Sequence, residues 1–380
     1  MAMVQAQQGG AGVVFGEKHN TKPFHATIRR PLGLRAVLPA NAQQQPSVQQ
    51  QRVTRSMAIP IPQQRPPDQC GVRNTQEEQS EEAEMMHIPE GEGEDMETDN
   101  DAIDVTKIMD KEDPFFCLEY AKDIYEHLRS LEVRYQLSAD YFDVQHFIHP
   151  QMRAVVVDWM VCVQVKFQLL QDTLFLSVTL LDRFLAVHPI LKEELQLVGI
   201  TALLIASKYE EVCALQVDDL IYVTDNSYTA SNVHAMESLM LKTLGYFLGT
   251  PTALCFLRWY SRVAQLSIEA HTMAKFLMEL GIAQYFVHRY LPSMLAAAAI
   301  CFSTRLLQND SCKWTTNFEH FIGYTESDLR PCLRWLSRQV LAMPMARHQA
   351  VRKKYSDASL MGVAKTASLC GPLVRAMSRQ

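Results

Sequence analysis

The segment "LQLVGITALLIASKYEE", residues 195–211, constrains the fold of this 380-residue chain more than any other part of it. Its apolar residues cover every side of a helix, so that helix cannot present one face to water. A second apolar run near 294–302 is rich in alanine. Both runs are too short to cross a bilayer. Each is therefore expected to form the central helix of a bundle, enclosed by other helices.

Segments with helical periodicity flank both runs, and few stretches show the alternation that strands need. Pro251 divides them into two similar groups. The repetition predicts an all-α protein with two bundles of about five helices each, preceded by an N-terminal helix over 113–132. The predicted helices cover 152–170, 172–187, 192–211 and 229–246 in the first bundle, and 252–264, 270–286, 291–307 and 326–343 in the second. Asp172 or Thr173 is expected to cap one helix and Thr229 another.

The first hundred residues differ in composition from the rest. Residues 1–76 are rich in Gln and Pro and mostly basic, whereas residues 77–104 are acidic. Neither part has the apolar periodicity that would offset its ordering entropy. We therefore expect a disordered regulatory tail over 1–112, a first helical domain over 113–249, a second over 250–346 and an extension over 347–380.

Charge and cysteine usage indicate the compartment. The formal net charge of −6 gives no overall basic field for nucleic acid. The nine cysteines are scattered without a CxxC pair, which is typical of a reducing compartment and argues against a zinc ribbon. The N-terminus lacks a charged-then-apolar signal pattern. We expect a protein of the cytoplasm and nucleus that binds neither nucleic acid nor membrane.

Lys208, at the end of the first apolar run, has the surroundings of a reactive lysine, since desolvation can lower a lysine pKa and make it a nucleophile. The chain nevertheless has no GxxxxGK[ST], HExxH, GxSxG or GxGxxG motif. Its twelve histidines do not pair at ligand spacing. The sequence therefore indicates no enzyme, with neither catalytic residues, nor a metal, nor a cofactor.

Two interpretations of Lys208 remain open. In the simpler one, its stem lies along the helix end and its ammonium reaches water. In the other, Lys208 and Glu237 flank an apolar surface to which Leu241, Tyr246 and Leu248 contribute, and form hydrogen bonds to backbone groups of another protein. The second interpretation predicts a docking site for a partner.

A second constellation lies in "MRAVVVDWM". Met152, Val156 and Trp159 occur at i, i+4 and i+7 and form a stripe on one helix, and such stripes usually pack in a core. Arg153 and Asp182 are set among apolar neighbours, where charges are tolerated when they pair with each other. We predict that these two residues form a structural ion pair.

Together these segments resemble a known family. "MRAVVVDWM", "LLDRFL", "LQLVGITALLIASKYEE", "DLIYVTDNSYT" and "HAMESLMLKTLGY" are similar, in order and spacing, to the cyclin box. "EYAKDIYEHL", "QVKFQLLQDT" and "HTMAKFLMEL" look like its B-type, mitotic branch. The resemblance covers roughly residues 113–345. It implies two tandem five-helix cyclin folds, and a regulatory subunit that binds and activates a mitotic cyclin-dependent kinase at the G2/M transition.

The resemblance also implies roles for particular residues. In the family, the lysine and glutamate that match Lys208 and Glu237 contact the kinase helix that carries its catalytic glutamate. The neighbouring apolar contacts map to Tyr209, Leu241, Tyr246 and Leu248.

The stripe of Met152, Val156 and Trp159 resembles a hydrophobic patch with which cyclins dock Arg-x-Leu motifs of substrates and inhibitors. Cys162 stands where some cyclins have an acidic residue that meets the arginine of the motif. We therefore expect weaker or altered docking.

The tail carries "RRPLGLRAV", residues 29–37, which resembles a destruction box through Arg29, Leu32 and Gly33. This resemblance implies ubiquitin-dependent degradation through a ligase of the anaphase-promoting type. A second match to Arg-x-x-Leu, Arg35–Leu38, leaves the choice of degron open.

Two tandem cyclin-like folds also occur in the general transcription factor IIB family, which binds promoter DNA. That function would need a zinc ribbon and a basic face for phosphate contacts. The sequence shows neither, and the acidic run just before the folds opposes DNA binding. It is retained as the alternative function.

Overall fold

The computed structural model describes residues 118–307, 319 and 321–379, and every regular element in those ranges is helical. The helices of the first half are α1 Ala121–Arg134, α2 Pro150–Phe167, α3 Gln171–Leu185, α4 Leu195–Glu210, α5 Val217–Val223 and α6 Ala230–Thr243. Those of the second half are α7 Ala253–Val263, α8 Ile268–Ile282, α9 Pro292–Leu307, α10 Glu326–Ala342, α11 Ala350–Lys354 and α12 Pro372–Met377. The all-α prediction is confirmed. The tail expected over 1–112 lies outside the described residues.

Helix α4 forms the axis of the first domain, as its composition predicts. Every residue from Leu197 to Ser207 is buried, and the helix packs against α2, α3 and α6. Gly199 permits the close approach of α2, because a Cβ at this position would lie 2.8 Å from Cγ1 of Val156. Carbon atoms in favourable contact are separated by about 3.5–4.0 Å.

Helix α9 has the same position in the second domain. Ala296, Ala297, Ala298 and Ala299 are fully buried, and the helix packs against α7, α8 and α10. The small side chains let three helices approach one axis closely. In the ranges that the structure describes, no helix is both long enough and apolar enough to cross a membrane.

The N-termini of α6 and α3 test the two predicted helix caps, and the second of them explains Glu211 in the "KYEE" sequence. Thr229 caps α6 as predicted, and it exchanges hydrogen bonds with Asn232. The predicted cap of α3 at Asp172 or Thr173 is wrong, because Leu170 is the N-cap residue and its side chain cannot accept a hydrogen bond. Glu211, which directly follows α4, supplies the hydrogen-bond acceptor instead. Its Oε1 accepts from the Leu170 backbone N–H at 2.8 Å and from the Thr173 hydroxyl at 2.5 Å.

Helix α1 is anchored on the second domain. Glu132 is buried, accepts hydrogen bonds from the Ser293 backbone N–H at 2.9 Å and from the Ser293 hydroxyl at 2.7 Å, and pairs with Arg129. Burial raises the pKa of Glu132, although its hydrogen bonds with Ser293 and the charge of Arg129 oppose this effect. Two turns before Glu132, the hydroxyl oxygens of Tyr125 and Tyr260 are 3.1 Å apart. These contacts hold α1 against the N-terminus of α9 and the side of α7.

The segment after α10 continues as structure rather than as a loose extension. The Ala350 backbone N–H donates to Asp158 Oδ1 on α2 at 2.8 Å. Glu279 on α8 accepts from the Tyr355 hydroxyl at 2.9 Å and from Lys354 Nζ at 2.6 Å. Helix α12 packs on α10. The C-terminal segment therefore ties together helices of both domains.

Candidate partner-binding surfaces

The structure brings Lys208 and Glu237 together. Lys208 lies in the last turn of α4, with 48% of its side chain exposed, and its Nζ donates to Glu237 Oε1 at 2.5 Å. Glu237 lies on α6, and its other carboxylate oxygen is 3.7 Å from Nδ1 of His234. An exposed ion pair of this kind contributes only about 0–1 kcal/mol to stability. Its main effect is to hold an ammonium and a carboxylate in fixed positions at the surface.

Two exposed tyrosines belong to the predicted surface. Tyr209 follows Lys208 and is more than half exposed, and Tyr246 is 66% exposed. Leu241 and Leu248 are half-buried and pack against the core, so they support the surface more than they form it. The predicted apolar set is thus divided into two exposed aromatic rings and two half-buried leucines that pack against the core.

Tyr246 has an unusual backbone conformation. Its φ is +61° and that of Gly245 before it is +62°, a left-handed geometry that costs a bulky residue energy. The next residue, Phe247, stacks on Tyr135 with ring centroids 4.5 Å apart, and its carbonyl accepts a hydrogen bond from Arg183. These contacts fix the link between the two domains in the form that exposes the Tyr246 ring. No local sequence pattern predicts the contact between Tyr135 and Phe247, because the two residues are far apart along the chain.

The stripe on α2 differs in one residue from the prediction. Met152 and Trp159 are half-buried and partly accessible. Val156 is only 8% exposed and faces Gly199, whereas Val155 is 42% exposed. The structure therefore places Val156 in the core and Val155 on the surface. Spacings of i+3 and i+4 both keep a residue on one side of a helix, so the signal that favours Val155 is the neighbouring α4, which covers Val156.

We define the docking stripe as Met152, Val155 and Trp159. Cys162, one turn further along α2, is exposed and carries a free thiol. The carboxylate of Asp158, one turn earlier on α2, lies near it: burial and the charge of Asp158 raise the pKa of the Cys162 thiol, and the charge of Lys353 opposes this effect.

Arg153 and Asp182 form the predicted pair, with both side chains fully buried. Arg153 donates from Nε to Asp182 Oδ1 at 2.6 Å and from Nη2 to Asp182 Oδ2 at 2.7 Å. Asp182 also accepts from the Tyr141 hydroxyl at 2.7 Å and lies 2.9 Å from Nε2 of His288. The sequence analysis did not identify Tyr141 or His288, because nothing in their spacing links them to α3.

The pair also joins the two domains. Arg153 donates to the carbonyls of Ile282 and Ala283 at the end of α8. Burial alone would raise the pKa of Asp182, but the charges of Arg153 and His288 hold that pKa well below its usual range. Burial alone would lower the pKa of Arg153, but Asp182 raises it. Both residues therefore stay charged in the folded protein and fasten α2 to α3 and α8.

The remaining predicted site residues are those of the degron. Arg29, Leu32 and Gly33, together with the alternative degron Arg35–Leu38, lie outside the described residues. In the part that the structure does describe, no group of three or more His, Cys, Asp or Glu side chains is arranged to hold a metal ion.

Comparison with known proteins identifies the family. The family model described as "Cyclin, N-terminal domain" matches residues 123–249, and that described as "Cyclin, C-terminal domain" matches residues 251–369. The second match extends into the segment after α10, in agreement with the packing of that segment.

Curated relatives show the branch. The chain is 41% identical over 271 residues to the G2/mitotic-specific cyclin-B of Marthasterias glacialis, which covers 71% of this chain and 69% of the relative. It is 43% identical over 269 residues to the G2/mitotic-specific cyclin-B of Spisula solidissima, with 71% and 62% covered. It is 42% identical over 262 residues to the G2/mitotic-specific cyclin-B2 of Bos taurus, with 68% and 65% covered. The matched part thus spans about two thirds of each relative's own length.

Cyclins are regulatory subunits and not enzymes, so the reading of Lys208 as a catalytic residue is set aside. The chain belongs to the cyclin family, in its B-type, G2/mitotic-specific branch.

Proposed function

We propose that this chain binds a mitotic cyclin-dependent serine/threonine kinase as a heterodimer and activates it to control the G2/M transition. The observation that carries the proposal is the surface at the ends of α4 and α6. There, Lys208 and Glu237 present a fixed pair of opposite charges, and Tyr209, which follows Lys208, and Tyr246, which follows the end of α6, expose their rings. Apolar rings surrounded by hydrogen-bonding groups are typical of the well-packed centre of a protein interface.

Activation follows from selective binding. A protein kinase is active only when its strand lysine pairs with the glutamate of one mobile helix and its metal-binding aspartate is in place. A cyclin that binds that arrangement more tightly than the inactive one shifts the kinase towards activity. Lys208 and Glu237 supply the polar contacts to the backbone of that helix, and Tyr209 and Tyr246 supply the apolar area. The cyclin needs no reactive group for this role.

The test uses a purified mitotic cyclin-dependent kinase with histone as its substrate. The full chain is compared with the double variant Lys208→Ala/Glu237→Ala in pull-down and in kinase assays. The matched control is Arg305→Ala/Glu326→Ala, which removes an ion pair of 2.9 Å between α9 and α10 of the second domain. Circular dichroism checks that all three proteins are folded.

We expect the first double variant to lose kinase binding and activation by at least about tenfold, which corresponds to 1.4 kcal/mol of interface free energy. The control should retain both. If the first double variant is folded and activates the kinase as well as the wild type does, the charged pair is not part of the interface. If no folded version binds any cyclin-dependent kinase, the proposed function is wrong, and promoter DNA is the next partner to test.

We further propose that the docking stripe binds Arg-x-Leu motifs of substrates or inhibitors. Its support is the exposure of Val155 beside the partly accessible Met152 and Trp159, on a helix in which Val156, Val157, Val161 and Val163 are buried and Val165 near the C-terminal end is also exposed. Exposed apolar groups on an otherwise buried helix mark interaction sites more often than isolated surface residues do. Residue 162 is a cysteine, and the nearby carboxylate of Asp158 already accepts a hydrogen bond from the Ala350 backbone N–H. The arginine of the motif should therefore contribute little, and apolar contacts should dominate.

We also propose that an anaphase-promoting type of ubiquitin ligase removes this cyclin through Arg29, Leu32 and Gly33. Its support is the sequence match alone. Replacing Arg29 and Leu32 by alanine should stabilise the protein through mitosis, as followed by immunoblot in synchronised cells. Unchanged turnover would contradict this assignment and favour Arg35–Leu38 as the degron. We also propose that the protein acts in the cytoplasm and nucleus, with its scattered cysteines as support.

A further inference from the structure

The docking stripe lies beside the short helix α11, which carries three basic residues and no acidic one. Its sequence is "AVRKK", and Lys353 in it is exposed. We propose that Lys353 makes the docking stripe selective for peptide motifs with an acidic residue two positions before the leucine, over motifs with an arginine there. This inference rests on the proposed role of the stripe as a docking site for leucine-containing motifs, and it names the chemistry of the partner.

Helix α11 is held against α2 next to the stripe. The Ala350 backbone N–H donates to Asp158 Oδ1 at 2.8 Å, and Asp158 directly precedes Trp159 of the stripe. Ala350 and Val351 are buried, and α11 packs on α2. Lys353 lies three residues after Ala350, which is about one helical turn. Its backbone therefore stands one turn away from the contact with α2.

The other end of α11 is fixed as well. Lys354 Nζ donates to Glu279 Oε1 at 2.6 Å, and the Tyr355 hydroxyl donates to the same oxygen at 2.9 Å. Because Glu279 is fully buried, the charge of Lys354 is compensated inside the fold. Lys353 thus stands between two anchored parts of the helix, and its position does not depend on its own side chain. A cation held in this way needs little ordering of the backbone when a partner binds.

The charge of Lys353 acts at the position where the family resemblance places the arginine of the motif. That position is Cys162, one turn beyond Trp159 on α2. The pKa of the Cys162 thiol responds to the charges around it: burial and Asp158 raise this pKa, and Lys353 lowers it. Both Asp158 and Lys353 are therefore close enough to act on a charged group of a peptide that is bound over Cys162.

Asp158 and Lys353 have opposite effects on a charged ligand group, and their surroundings decide which effect is stronger. Asp158 is half-buried and already accepts a hydrogen bond from the Ala350 N–H. Lys353 is exposed and offers three N–H donors, and within the described ranges it forms no ion pair. Arg352 adds a second cation to the same helix. Since the available charge is mainly positive, a carboxylate on the ligand should be favoured over a guanidinium.

The test uses three fluorescein-labelled decapeptides that differ only two positions before the leucine, where they carry glutamate, glutamine or arginine. Fluorescence anisotropy measures their affinities for the full-length chain. We expect the glutamate peptide to bind about threefold more tightly than the glutamine peptide, and the arginine peptide about threefold more weakly, which is the range of an exposed ion pair. In about 1 M salt the Debye length falls to roughly 3 Å, so the three affinities should converge.

Two charge reversals show whether Lys353 causes the selectivity. Lys353→Glu should reverse the order of the three peptides. Lys365→Glu is the matched control, because it reverses the charge of another exposed lysine in the C-terminal segment and changes the net charge equally. It should keep the order of the wild type. Circular dichroism checks that both variants are folded.

The failure of this inference can be told apart from the failure of the stripe. If no peptide binds, or if Val155→Ala binds all three as tightly as the wild type does, the stripe is not the docking site, and both proposals are wrong. If Val155→Ala weakens all three peptides but the wild type prefers arginine or shows no preference, the stripe stands and its selectivity for acidic motifs is wrong. A preference for glutamate that persists in Lys353→Glu would overturn the role of Lys353.

Discussion

Arg153 and Asp182 form two parallel hydrogen bonds of 2.6 and 2.7 Å between side chains that are both fully buried. Fork geometry of this kind is among the strongest of protein hydrogen bonds. Tyr141 and His288 satisfy the remaining capacity of the carboxylate, so neither charge is left without a partner. Because Arg153 also donates to Ile282 O on α8, the pair sets how α2 and α3 meet the second domain.

Removing one member of this pair should be far more damaging than removing both. Arg153→Met leaves Asp182 charged and buried, and the free energy of unfolding should fall by about 3–5 kcal/mol. Arg153→Met/Asp182→Leu removes both charges and should cost clearly less. Urea denaturation followed by circular dichroism measures both. A double variant as unstable as the single one would mean that lost packing, and not an uncompensated charge, causes the damage.

The same pair predicts a pH dependence. The folded-state pKa of Asp182 lies below its unfolded value of about 3.9, so the unfolded chain takes up the proton first as the pH falls. The stabilisation by Asp182 is therefore complete above about pH 5 and is lost as the pH falls through 4 towards the folded pKa. The difference in unfolding free energy between the wild type and Asp182→Asn, measured from pH 7 downwards, should be flat and then shrink.

Gly199 should not tolerate a methyl group. A Cβ at this position would lie 2.8 Å from Cγ1 of Val156, and overpacking of this kind costs about 1–3 kcal/mol. Val156→Ala removes the obstructing carbon, so the double variant should be more stable than the two separate losses predict. Gly281→Ala on α8 is the control, because its Cβ would make ordinary contacts of 3.5 Å with Leu295 and Trp335. Equal losses for the two glycines would show that α2 can shift away from α4.

The two central helices could be predicted from sequence because an apolar residue on every face leaves a helix no alternative to burial. The helical spacing predicts Val156 in the surface stripe, but spacing alone does not show which neighbouring helix covers a residue, and α4 covers Val156. Asp172 was expected to cap α3 because local chemistry favours it, whereas the acceptor is Glu211 from another helix. Tyr355 and its segment carry too little periodicity for prediction, since their contacts are single side chains that reach α8. Long-range polar contacts leave no local pattern.

Tyr246 should contribute to kinase binding without contributing to folding. Its ring is 66% exposed and its backbone is left-handed, so Tyr246→Gly removes apolar contact area while it relieves about 1 kcal/mol of backbone strain. The variant should unfold at the same temperature as the wild type or a higher one, and should bind the kinase about tenfold more weakly. Tyr222→Ala, another exposed tyrosine of the first domain, should leave kinase binding unchanged. A kinase affinity equal to that of the wild type would remove Tyr246 from the interface.

Val155 and Val165 allow the docking stripe to be tested with little change in stability. Both lie on α2 and both are exposed, by 42% and 48%. Val165 lies almost three turns beyond Val155 and past Trp159, the last residue of the stripe, and it precedes Lys166, whose ammonium lies over the Tyr222 ring. Either change to alanine removes a partly solvated side chain, and surface substitutions of this kind usually shift stability by about 0.5 kcal/mol or less. Since the contacts with an Arg-x-Leu peptide are expected to be mainly apolar, Val155→Ala should weaken peptide binding severalfold while Val165→Ala has no effect. Isothermal titration calorimetry measures both affinities, and equal affinities for the two variants would place the docking surface elsewhere on the molecule.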